Sequence, residues 1–94
     1  MKVEQFINKN QFHLYGNGKN ILQSYDSTVV VIDYTPTFKI ILGRDWDYST
    51  TTSKHVYAFL EEYGNIDFYG IRNKRAYINK LINDGKIQYD ETMR

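Results

Sequence analysis

Hydrophobic periodicity changes once along this chain of 94 residues. Between residues 11 and 42, apolar and polar side chains alternate in short runs separated by turn residues, which is typical of β-strands. In residues 53–63 the apolar positions follow the i, i+3, i+4, i+7 spacing of an amphipathic helix, and they are Val56, Phe59, Leu60 and Tyr63. Because strands come first and helices afterwards, the pattern predicts an α+β fold.

The strand region predicts a four-stranded antiparallel meander. The four predicted strands cover residues 11–15, 19–25, 28–34 and 38–42. Gly16, Asn17 and Gly18 tolerate positive φ and predict a hairpin turn, whereas Pro36 ends the third strand because it lacks a backbone donor. The third run is dense in β-branched residues, which favours a central position. Residues 1–9 fit either a short helix or a strand, and residues 86–89 fit an additional edge strand.

Two helices are expected to pack on one face of this sheet. For the first helix, residues 49–53 offer hydroxyl N-caps, and Gly64 is expected to end it in a left-handed conformation. A second helix is predicted from Asn73 as N-cap to Gly85 beyond its C-terminal end. Its buried side is predicted to carry Tyr77, Ile78, Leu81 and Ile82, and Arg72, Arg75, Asn79 and Asn83 are placed on the opposite face.

Composition limits the class of protein. At this length and with 41% hydrophobic residues, residues 1–94 are expected to form a single domain. The chain has no cysteine, which excludes disulfides, a thiol nucleophile and cysteine-ligated metals. No secretion signal is recognisable, and no stretch approaches the ~20 apolar residues of a membrane span. A cytoplasmic location is therefore expected. Richness in Ile, Asn, Lys and Tyr, whose codons are A/T-rich, indicates a low-GC bacterium or one of its mobile elements.

A serine-type catalytic triad finds no suitable base. His55 and Ser53 are two positions apart on a predicted helix, where side chains point in nearly opposite directions. His13 alternates with Phe12 and Leu14, so it is predicted to face away from their side of the sheet. The chain is therefore not expected to be an enzyme.

Asp45 and Asp47 flank Trp46 with a spacing that some enzymes use to hold a divalent cation. No further acid or histidine cluster is near them in sequence. The preferred interpretation places Trp46 on the core and the two aspartates in solvent or near the following helix N-terminus. No metal or cofactor is predicted.

Charge is distributed unevenly along the chain. Residues 45–67 contain five acidic residues and one lysine, whereas residues 72–86 contain five basic residues and one aspartate. Ordinary solvated faces account for such segregation, but a basic helix also suits phosphates or an acidic protein groove. The candidate binding residues on this segment are Arg72, Lys74, Arg75 and Lys80. Among the nine tyrosines, Tyr57 and Tyr69 are predicted to be exposed, which suits stacking on nucleic-acid bases or contact with a protein.

Two stretches together resemble a family of small phage- and plasmid-encoded proteins of low-GC Gram-positive bacteria. They are residues 23–32 and residues 46–60, within a match that spans roughly residues 12–62, and the most specific part is the D-Y-S-x-T-T-x-K-H signature around residues 47–55. The resemblance implies no catalytic residues. It implies an accessory protein that acts against host defence, for example as an anti-CRISPR inhibitor. Within the signature, the hydroxyls cap the helix, or alternatively Tyr48, Lys54 and His55 form part of a contact surface.

The leading expectation is a non-enzymatic protein that binds and inhibits a host defence complex, such as a CRISPR effector nuclease. The alternative is a small DNA- or RNA-binding module that uses the basic C-terminal helix. A homodimer is also expected to be accessible, because a meander leaves two sheet edges that can pair.

Overall fold

The computed structural model describes residues 2–6 and 8–94 of the chain. Its six strands form one sheet in chain order, and they are β1 (Lys2–Phe6), β2 (Asn8–Gly16), β3 (Lys19–Ser24), β4 (Ser27–Asp33), β5 (Lys39–Gly43) and β6 (Gln88–Asp90). The first five strands are an antiparallel meander, and β6 lies parallel to β5. Two helices, α1 (Thr50–Tyr63) and α2 (Lys74–Asn83), are placed between β5 and β6 in the chain. The α+β class is confirmed.

The prediction of four strands was wrong, because the sheet has two additional edge strands. Strands β2 to β5 correspond to the four predicted strands, whereas β1 occupies the N-terminal segment that fitted either a helix or a strand. Four of the five residues of β1 are exposed, so its sequence carries little apolar alternation. Strand β6 has only three residues, and it overlaps the segment 86–89 that fitted an additional edge strand.

One face of the sheet carries the core. Leu22, Val30 and Leu42 lie opposite one another on β3, β4 and β5, and all three are fully buried. Helix α1 packs over β3 and β4 with the apolar side predicted for it, and Phe59 and Leu60 are also fully buried. Both helices contribute to this core cluster, α2 through Ile78 and Leu81.

The alternation predicted for β2 agrees with the structure, but the face that carries His13 is the one covered by α1. His13 is only 3% exposed and faces α1, with its ring 4.4 Å from the Tyr63 ring and 5.3 Å from the Phe59 ring between centroids. Its neighbours Phe12 and Leu14 are half-buried on the opposite face. Alternation therefore separated the two faces correctly, but helix α1 covers the face with fewer apolar residues on this strand.

Both helices begin where the sequence predicts. Ser49 is the N-cap of α1, and Asn73 is the N-cap of α2. The C-terminal end of α1 differs from the prediction, because Gly64 has φ −101° and Asn65 is the left-handed residue, with φ 57°. At the end of α2, Gly85 has φ 78° as expected. No described helix has the length and apolar character needed to cross a membrane.

Candidate functional site

A groove of about 660 Å³ lies between the N-terminal ends of the two helices. It is lined by the first turns of α1 and by the residues that lead into α2, namely Ser49, Thr50, Ser53, Lys54, Tyr57, Arg72, Asn73, Lys74 and Arg75. Five of these nine residues belong to the binding set predicted from sequence. The fold therefore gathers at one place basic residues that are about 20 positions apart in the chain.

Both helix ends contribute positive electrostatic potential to this groove. The Ser49 hydroxyl accepts a hydrogen bond from the Thr52 backbone N–H at 3.1 Å, and the Asn73 side-chain oxygen accepts one from the Ala76 N–H at 3.0 Å. Neither helix has an acidic residue in its first turn. The remaining N–H groups and the helix dipoles therefore favour an anion at this position.

Four cationic side chains surround the same space. Lys54 and Arg72 are exposed, and Lys74 is half-buried with its Nζ 5.6 Å from the centroid of the Tyr57 ring and 5.9 Å from that of Phe68. Arg75 forms an ion pair with Asp47, whose carboxylate lies 2.9 Å from the guanidinium. No carboxylate lines the groove itself and Asp47 pairs with only one of the four cations, so the groove carries a net positive charge.

Of the two tyrosines that were predicted to be exposed, one is exposed and the other is not. Tyr69 is 92% exposed, as predicted. Tyr57 was predicted to be exposed but is half-buried, because its ring packs against Trp46 at 6.3 Å and against Phe68 at 5.3 Å. This burial raises the pKa of the Tyr57 phenol above its usual value, although the charge of Arg75 acts in the opposite direction. Tyr57 therefore serves mainly as a wall of the groove.

Four predicted binding residues do not line the groove, and besides Tyr69 they are His55, Tyr48 and Lys80. His55 is 8% exposed, and its Nδ1 donates to the Thr51 carbonyl oxygen at 2.7 Å, so its ring is part of the helix packing. Tyr48 is 77% exposed and lines a second cavity. Lys80 is exposed further along α2.

The two aspartates of the Asp45-Trp46-Asp47 triplet do not converge. Asp45 Oδ2 accepts a hydrogen bond from the Ser27 hydroxyl at 2.8 Å, whereas Asp47 pairs with Arg75. Trp46 is 4% exposed and anchors the loop, as the preferred interpretation predicted. Across residues 2–6 and 8–94, the structure has no group of three His, Asp or Glu side chains placed to hold a metal ion.

A family description matches residues 1–79, which is most of the chain. The chain belongs to DUF8033, a family of unknown function. No curated protein and no solved structure matches it. The DUF8033 match includes every residue that lines the groove, whereas the end of α2 and strand β6 lie beyond it. Since DUF8033 has no stated activity, the mobile-element origin and the anti-CRISPR role stay predictions.

Sequence reasoning missed the polar residues of the groove as binding residues. Ser49, Thr50 and Ser53 were interpreted as helix caps, and Asn73 likewise. Capping residues sit where helix N–H groups are free, so two predicted N-caps beside basic residues were the available signal. The two helix ends meet because of the path that residues 64–73 follow between them. This segment has no periodic pattern, so its path could not be predicted from sequence.

Proposed function

We propose that this protein binds the phosphate backbone of a nucleic acid in the groove between α1 and α2. The observation that supports it is the convergence of four cationic side chains and two helix N-termini on one cavity. Phosphate oxygens accept hydrogen bonds from backbone N–H groups, Lys and Arg, and these are the donors that the groove offers.

The ion pair between Arg75 and Asp47 determines how many of the four cationic side chains of the groove are free to bind phosphate. The side chain of Arg75 is 59% exposed, so a phosphate can approach it while Asp47 holds its position. Lys54 and Arg72 have no ion-pair partner among the residues that the structure describes. These two residues are therefore the strongest candidates for direct phosphate contacts.

Tyr69 extends the proposal to unpaired bases. It lies in the connection between the helices, three residues before Arg72, so their Cα atoms are at most about 11 Å apart. An exposed ring at that distance can stack on a base whose phosphate occupies the groove, and stacking of this kind accepts any base. We therefore expect a preference for single strands over duplexes.

The test is fluorescence anisotropy with a labelled oligothymidylate and with a duplex of mixed sequence. We expect single-strand binding at micromolar protein in about 50 mM salt, falling steeply as salt is raised. Lys54→Gln and Arg72→Gln are each expected to weaken binding several-fold and to lower the slope of log K against log salt by about 1.

Lys80→Gln is the matched control, because it removes the same charge from an exposed position outside the groove. It is expected to retain nearly all of the affinity. The proposal is wrong if neither oligonucleotide binds at low salt, or if the Lys80 variant loses as much affinity as the Arg72 variant.

Inhibition of a host defence complex is the second proposal. The two stretches that carry the family resemblance, although distant in the chain, meet around one cavity, where the hydroxyl oxygens of Ser24 and Thr52 lie 3.1 Å apart. Affinity capture from a low-GC host, with nuclease treatment, tests it together with a phage-interference assay. A defence protein retained after nuclease treatment, together with protection of the phage, supports inhibition; loss of all partners on that treatment contradicts it.

A further inference from the structure

A second cavity, of about 520 Å³, lies on the other side of the first turn of α1. It is lined by the β3–β4 turn, the loop after β5 and α1, through Ser24, Tyr25, Asp26, Ser27, Asp45, Tyr48 and Thr52. It shares no lining residue with the basic groove. We propose that this cavity binds a guanidinium group.

Charge is the first argument. The lining has two carboxylates, Asp26 and Asp45, and no Lys, Arg or His. Neither carboxylate forms an ion pair with a residue whose side chain the structure describes. The Ser27 hydroxyl donates to Asp45 Oδ2 at 2.8 Å, which orients the carboxylate and leaves its other oxygen for a ligand. A cation is therefore favoured over an anion.

The wall of the cavity is a chain of ordered hydroxyls. Ser24 and Thr52 are 3% and 1% exposed, and their hydroxyl oxygens lie 3.1 Å apart. Behind them the fully buried Gln11 donates from Nε2 to the Ser24 hydroxyl at 2.8 Å. Gln11 Oε1 is buried with no hydrogen-bond partner among the described residues. Burial of an unpaired amide oxygen costs free energy. That cost indicates that the hydroxyl wall, which Gln11 holds through Ser24, has a function.

Two exposed aromatic rings border the cavity. Tyr48 is 77% exposed, and Tyr25 is 51% exposed. Tyr25 takes a left-handed backbone conformation with φ 54°, and its N–H donates to the Asn10 carbonyl oxygen at 2.7 Å. Because the faces of aromatic rings attract cations, two tyrosines in the lining favour a flat cation as the ligand.

The number of acceptors favours guanidinium over ammonium. A guanidinium has five N–H donors in one plane, and it stacks on aromatic rings better than the compact, strongly hydrated ammonium does. The two carboxylates and the hydroxyl oxygens of Ser24 and Thr52 supply several acceptors for these donors, and the volume exceeds what a single ammonium needs. The group can belong to an arginine side chain of a protein or to a free small molecule.

The test is a titration of the isotope-labelled protein with agmatine, followed by amide chemical shifts. Butylamine is the ammonium comparison, and a Gly-Arg-Gly peptide represents a protein side chain. We expect agmatine to shift the resonances of residues 24–27 and 45–52 at millimolar concentration, and butylamine to bind roughly tenfold more weakly. Tighter binding of the peptide assigns the site to a protein arginine, whereas tighter binding of agmatine assigns it to a small molecule.

Two variants and one control complete the test. Asp45→Asn retains an acceptor for Ser27 and is expected to weaken agmatine binding roughly tenfold, because a charged hydrogen bond is lost. Tyr48→Ala changes an exposed side chain and is expected to weaken binding several-fold without altering the fold. Glu61→Gln removes one charge from the exposed face of α1 and is expected to change nothing. No localised shifts, equal binding of butylamine, or equal effects of the Asp45 and Glu61 variants would overturn the proposal.

Discussion

Tyr63 shows how burial of a single side chain creates a pH dependence. Its ring packs against His13 and Phe59, and this burial, with the nearby charges of Glu62 and Glu4, raises the pKa of the phenol to about 12. In the unfolded chain a tyrosine loses its proton near pH 10. Between about pH 10 and about pH 12 the unfolded state therefore binds fewer protons, so stability falls as pH rises.

Tyr63→Phe removes the phenol hydroxyl, so the variant is expected to lose less stability than the wild type as the pH rises above about 10. Urea unfolding at about pH 9 and about pH 11 measures it, since that interval covers the onset of the effect. Tyr69→Phe is the control, because its ring is 92% exposed and changes environment little on unfolding. Equal losses of stability in the Tyr63 variant and the wild type would contradict the prediction.

Asp47 limits the charge of the basic groove through a single contact. Because it pairs with Arg75 at 2.9 Å, it competes with any phosphate for that guanidinium. Asp47→Asn is expected to raise affinity for single-stranded DNA about twofold to fivefold, the range of an exposed ion pair. Anisotropy at low salt measures the gain, which should shrink as salt is raised. Glu91→Gln, an exposed change outside the groove, is the matched control, and a loss of affinity in the Asp47 variant would refute the competition.

At the scale of elements, the start of α1 has two separable roles. Ser49 caps the helix and also lines the groove. Ser49→Ala is expected to lower the free energy of unfolding by about 1 kcal/mol, because the Thr52 N–H loses its acceptor. Ser49→Asp retains the cap but adds a negative charge, so it is expected to keep stability and to weaken nucleic-acid binding.

Urea unfolding and anisotropy on the same two variants separate these roles. Thr51→Ala, on the exposed side of the first turn, controls for the change of side-chain size. The prediction is wrong if Ser49→Asp loses as much stability as Ser49→Ala, or if it binds DNA as well as the wild type.

At the scale of the whole molecule, the segment after α2 is part of the core. Ile87 is 1% exposed, its N–H donates to the Leu81 carbonyl oxygen at 3.2 Å, and β6 then pairs with β5. Further on, the Met93 carbonyl oxygen accepts from the Arg44 N–H at 2.9 Å. This segment lies beyond the DUF8033 match, yet it closes one edge of the core.

Ile87→Ala is therefore expected to lower the free energy of unfolding by about 3 kcal/mol, through lost burial and the cavity left behind. Ile87→Val is expected to lower it by about 1 kcal/mol. Chemical denaturation measures both, and Glu91→Ala, an exposed change in the same segment, is expected to be neutral. A negligible effect of Ile87→Ala would show that the segment does not stabilise the fold.

The basic residues of the candidate site were predictable from sequence, but its polar residues as binding residues and its shape were not. Arg72, Lys74 and Arg75 stand out from sequence because they belong to a basic run at the second predicted helix, and Lys54 because it belongs to the signature that carries the family resemblance. That Lys54 joins the other three, and that Asp47 neutralises one of them, depends on contacts between α1, α2 and the loop after β5. No sequence pattern predicted the second cavity, because its residues look like those of an ordinary turn and an ordinary helix cap.

By itself, the sequence determined the four central strands, both helices and their N-caps. Periodicity, turn residues and caps act within a few residues, so they can be recognised locally. Only the tertiary structure decided that His13 faces the core, that Asp45 and Asp47 separate, and that β6 joins the sheet in parallel. Each of these depends on packing between segments distant in the chain, where burial of the whole apolar surface outweighs the preference of any one residue.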